Sequence, residues 1–65
     1  MAIHAYFSFG YTNKDNMRVE WWNVIIDNKH NPVKLILVSD WVRNEASIND
    51  IRQMAINEAK KTIDK

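Results

Sequence analysis

The chain has 65 residues, no cysteine and a formal charge of +1, which excludes a disulfide scaffold, a thiolate zinc site and a cysteine nucleophile. A chain this short buries only about 60% of its unfolded surface, so a single small domain over residues 1–65 is expected and most apolar side chains must serve its core. Hydrophobic residues make up 46%, and Trp21, Trp22, Trp41, Phe7, Phe9, Tyr6 and Tyr11 carry the largest areas.

The charge is evenly spread: residues 1–40 hold four basic and four acidic groups, residues 41–65 five and four. Neither part is an electrostatic tail. The start from Met1 to Phe9 is apolar but lacks a basic flank, and no later run approaches the roughly 18 apolar residues of a membrane span. A cytoplasmic protein with no membrane partner is therefore expected.

With one glycine and one proline, the turns must be made by Asn and Asp, which tolerate left-handed backbone. Thr12 to Asn16 and Asp27 to Pro32 are the two turn clusters, and they separate three segments rich in β-branched and aromatic residues. In the first, Ile3, Ala5, Phe7, Phe9 and Tyr11 alternate with His4, Tyr6, Ser8 and Gly10, a strand period that places the former set on one buried face. The second segment, Met17 to Asp27, opens with Met17, Val19 and Trp21 in one parity and continues with Val24 and Ile26 in the other. An extra residue near Trp21-Trp22 would reconcile the two, which is what a β-bulge supplies; a regular strand covered on both faces is the alternative. In either strand reading Trp21 is expected in the core. The regular strand turns Trp22 outward.

The third segment starts after Pro32, since proline suits a strand entrance. Val33, Leu35, Leu37 and Trp41 face one way, and Lys34, Ile36, Val38 and Asp40 the other. Short links between the strands favour an antiparallel meander. Ser47, with Asp50 three residues on, reads as an N-cap. Beyond it Ile48, Ile51, Ala55, Ala59, Thr62 and Ile63 share a helical stripe flanked by Met54 and Ile56, predicting an amphipathic helix from about Ile48 to Ile63. The expected fold is a two-layer α+β domain, a three-stranded antiparallel sheet backed by one C-terminal helix.

No motif identifies a family. His4 and His30 lack neighbours with metal-ligand spacing, and Ser8 and Ser39 lack a sequence-evident base. Gly10 cannot by itself make a phosphate loop. No catalytic residue, metal or cofactor is expected. Arg52 falls inside the apolar stripe of the helix, where snorkelling along the sheet explains it as well as a cation–π or partner contact does.

The second apolar side of the sheet carries the functional expectation. One helix covers one face, which leaves Tyr6, Trp22, Ile25, Ile36 and Val38 for the other, a patch a lone monomer seldom leaves wet. The expected function is a small non-enzymatic protein-binding module, of the regulator or inhibitor kind, homodimeric through that face. The alternative is a nucleic-acid-binding sheet using Arg18, Lys34 and Arg52 together with stacked aromatics, against which stands the charge of only +1.

Overall fold

The computed structural model describes residues 2–37 and 45–63. Strands β1 (Ile3–Thr12), β2 (Arg18–Ile26) and β3 (Lys29–Leu37) form an antiparallel sheet in the order β1-β2-β3, followed by the C-terminal helix α1 (Glu45–Ile63). This is the predicted βββα architecture. Val38, Asp40 and Trp41 lie outside the described residues.

Asparagine and aspartate make both turns. Asn13 accepts hydrogen bonds at its Oδ1 from the N–H groups of Asp15 and Met17, both at 2.9 Å, and its carbonyl accepts from the N–H of Asn16 at 3.0 Å. Asn16 has a φ of 63°, and Asp27 and Asn28 have φ values of 50° and 70°. Two successive left-handed residues match the right-handed twist of the flanking strands and allow a two-residue hairpin. The second turn is thus shorter than its sequence cluster, because β3 begins at Lys29 and not after Pro32. Pro32 sits within β3 without conflict, since β3 is an edge strand and can spare a donor.

Pairing of β2 with β3 runs without interruption from Arg18↔Leu37 to Ile26↔Lys29. Pairing of β1 with β2 runs from Ile3↔Ile26 to Phe7↔Trp22 and resumes at Phe9↔Trp21. Ser8 is therefore the extra residue, and the bulge lies in β1 opposite the two tryptophans, not in β2. The parities follow directly. Ile3, Ala5 and Phe7 share the inner face of the sheet, whereas Phe9 and Tyr11 pass to the outer face, contrary to the unbroken alternation expected. In β2 the inner row is Arg18, Glu20, Trp22, Val24 and Ile26, so Trp22 is a core residue and Trp21 and Val19 lie outside.

The core consists of Ala5, Trp22, Val24, Ile26, Val33, Leu35 and Leu37 from the sheet and Ile51, Ala55 and Ala59 from α1, with Ile3, Met54 and Ile56 at its margin. Small Ala55 and Ala59 bring the helix axis close to the sheet, and Trp22, 1% exposed, occupies the space this leaves. Val19 is also buried although it faces outward. It lies on the central strand between Tyr11 and Ile36.

The helix starts at Glu45, before the expected cap, so Ser47 belongs to its first turn and is not the N-cap. Its apolar stripe ends at Ala59; Thr62 and Ile63 are exposed. Lys60 and Lys61 in the last turn complement the negative end of the helix dipole. Arg52 is exposed and donates from Nη1 to Asn49 Oδ1 at 3.2 Å, so its head group is outside the core.

Candidate functional site: the outer face of the sheet

The bulge decides what the outer face presents. Up to Phe7, β1 contributes His4 and Tyr6 to it; after Ser8 it contributes Phe9 and Tyr11. Across from these stand Val19, Trp21, Asn23 and Ile25 on β2, then His30, Pro32, Lys34 and Ile36 on β3. Tyr6 is 55% exposed, Phe9 53%, Ile36 53% and Tyr11 45%, while Trp21 and Ile25 are half-buried.

These rings are ordered by one another. Phe9 stacks on Trp21 with centroids 6.4 Å apart and on Tyr11 at 6.5 Å, with planes inclined by 23° and 19°. His4 and Tyr6 stack at 6.3 Å. Aromatic side chains fixed by few torsions and held by neighbours present large contact area at little entropic cost, a property shared by the centres of protein interfaces.

Of the residues expected here from sequence, Tyr6, Ile25 and Ile36 lie on this face. Trp22 does not: it packs beneath α1, with its indole N–H donating to Glu20 Oε1 at 3.1 Å. Val38 falls outside the described residues. Sequence reasoning missed Phe9 and Tyr11, which the bulge at Ser8 turns outward, and Trp21, which the uninterrupted parity of β2 turns outward.

The basic residues considered for nucleic acid are not brought together. Lys34 is on the outer face, Arg18 is on the inner row of β2 and Arg52 is on the helix. Arg18 is further committed within the protein, since its Nε donates to Glu20 Oε2 at 3.0 Å. Glu20 is fully buried. Arg18, Glu20 and Trp22 thus form a polar row at every second position of β2, with Gly10 opposite Glu20 on β1. A Cβ at Gly10 would stand 2.6 Å from Nη2 of Arg18, so the missing side chain makes room for the guanidinium.

Among the described residues no group of three or more His, Asp or Glu side chains converges as a metal site, and no helix is long and apolar enough to cross a membrane. Searches against family models, curated proteins and solved structures give no match for the chain.

Proposed function

We propose that the chain is a small non-enzymatic protein-binding module, of the regulator or inhibitor kind, which meets its partner through the outer face of the sheet. The observation that carries this reading is the set of exposed aromatic rings on one face, Tyr6, Phe9 and Tyr11, with Phe9 stacked on both Trp21 and Tyr11 and with Ile36 exposed on the same face. A contiguous apolar patch of this kind has a cost in water that a partner removes. Stacked rings also suit single-stranded nucleic acid, but phosphate recognition needs cations along the same track. Lys34 alone of the three considered basic residues lies on this face.

Trp21 replaces Trp22 as the aromatic anchor expected at the centre of the contact. Self-association face to face would hide this surface, whereas a second copy placed at an edge of the sheet leaves it open.

Affinity capture from the native host, with the wild-type chain and Phe9→Ser compared as baits, tests the proposal. Phe9 is exposed and gives up only its stacking on Trp21 and Tyr11, so the variant should keep its far-UV circular dichroism and stay folded at 25 °C with a melting temperature lower by several degrees. The wild type should retain a protein that the variant loses, and retention should survive a rise from about 50 to about 200 mM salt, over which phosphate-driven binding falls steeply. Capture of nucleic acid that washes off with salt would replace the protein reading with the nucleic-acid one. Equal capture by both baits would place the contact away from this face.

A further inference from the structure

The outer face is charged differently from the chain as a whole. Eight acidic residues nearly balance nine basic ones in the sequence, yet none of the described side chains on this face is a carboxylate. Asp15 and Asp27 lie in the turns, Glu20 is buried on the inner row, and Glu45, Asp50 and Glu58 are on α1. The face does carry a cation. The strand register sets Lys34 across from Trp21, which is across from Phe9, so the exposed lysine ends a row that begins with two stacked rings. Among the described residues Lys34 has no ion-pair or hydrogen-bond partner, whereas Arg18 is held by Glu20 and Lys61 by Glu58.

A second polar group stands in the middle of the face. Asn23, exposed on the central strand, lies between Tyr6 and Pro32 in the neighbouring row, and its amide makes no hydrogen bond among the described residues. A partner that covers the rings therefore also covers one cation and one amide. Each costs free energy when it leaves water unpaired, the charge more than the amide. An amide that both donates and accepts is matched by a main-chain peptide group, and a lone ammonium by a single carboxylate.

We infer that the partner presents an acidic segment to this face: an apolar side chain seated on Phe9 and Trp21, an Asp or Glu one strand spacing away at Lys34, and main chain at Asn23. The inference rests on the protein-binding reading and adds the chemistry of what is bound. Complementarity of charge selects the segment, because a basic one finds no carboxylate here and brings its own cation against Lys34. A nucleic-acid strand fits less well. It brings a phosphate with every nucleotide, and of the cations considered for it Arg18 and Arg52 are off this face.

Selection of random dodecapeptides displayed on phage against the immobilised full chain tests this, with Lys34→Glu and Phe9→Ser as parallel baits. Wild type should enrich peptides that join an aromatic or aliphatic residue to Asp or Glu. Lys34→Glu should turn that preference toward Lys and Arg, and Phe9→Ser should lose most of the enrichment. The leading wild-type peptide, made synthetically and titrated by fluorescence anisotropy, should bind Lys34→Glu about tenfold more weakly. Lys34 is exposed on an edge strand, so the variant should fold; if circular dichroism shows otherwise, Lys34→Gln takes its place and should abolish the acidic preference without reversing it. Apolar peptides without an acidic excess overturn the inference and leave the protein-binding reading standing, as does an acidic preference that Lys34→Glu leaves unchanged. No enrichment over the unselected library also overturns the inference, while the reading is judged by capture from the host. Peptides held equally by Phe9→Ser, or a mixed-sequence single-stranded oligonucleotide that binds wild type and not Phe9→Ser, overturn both.

Discussion

Trp22→Ala should leave the chain largely unfolded at 25 °C, while Trp21→Ala should leave it folded. Truncating a buried tryptophan costs about 3–5 kcal/mol, and native stability of roughly 0.05–0.15 kcal/mol per residue puts a chain of this length at about 3–10 kcal/mol in total. Trp22 is 1% exposed and its loss also deprives the buried Glu20 carboxylate of an indole donor. Trp21 is half-buried on the outer face and gives up chiefly its stacking with Phe9, worth about 0.5–1.5 kcal/mol beyond the area it covers. Far-UV circular dichroism and urea titration of both variants check this. A folded Trp22→Ala beside an unfolded Trp21→Ala would reverse the parity of β2.

Arg18→Met should be the next most damaging change, because it strips the guanidinium from a fully buried carboxylate. Breaking a buried ion pair by removing one partner costs about 3–5 kcal/mol, and the value here belongs at the lower end since the Arg18 side chain is 38% exposed and its site is reached by water. Adding Glu20→Gln should recover most of the loss. Glutamine removes the buried charge while keeping an oxygen to accept from the Trp22 indole N–H. Gly10→Ala should act through the same group, since its Cβ would stand 2.6 Å from Arg18 Nη2 and 2.9 Å from Cζ. It should therefore destabilise the wild type but be nearly silent in the Arg18→Met background, a non-additivity that a double-mutant cycle in urea measures directly.

The architecture is legible in the sequence because its signals are local. Alternation in Val33, Leu35 and Leu37 names the inner face of β3, Asn and Asp clusters name the turns, and the spacing of Ile51, Ala55 and Ala59 names the buried side of α1. The parity of β1 and β2 is not local. Trp21 and Trp22 are equally apolar, and an inner row of Val19 and Trp21 spares the burial of Arg18 and Glu20. The structure takes the other row, which runs from Arg18 to Ile26 without a break, and in it the arginine two positions before the glutamate and the tryptophan two positions after it both donate to the carboxylate. A charge at every second position beside its counter-charge was the signal that could have shown this. The outer face was then only partly legible: Tyr6, Ile25 and Ile36 follow from simple alternation, but Phe9 and Tyr11 depend on a single surplus residue in β1, and nothing in the letters of Ser8 marks it as surplus.

That surplus residue changes what the gene can tolerate. A strand ordinarily cannot lose one residue without turning every later side chain to the opposite side of its sheet. In β1 the loss of Ser8 would join Phe7, opposite Trp22, directly to Phe9, opposite Trp21, and both partners are already adjacent on β2. Phe9, Gly10, Tyr11 and Thr12 would keep their present sides. A three-nucleotide deletion at this codon would therefore remove the local kink while sparing the aromatic surface, whereas the same deletion within the uninterrupted stretch of β2 would exchange core for solvent along the rest of that strand.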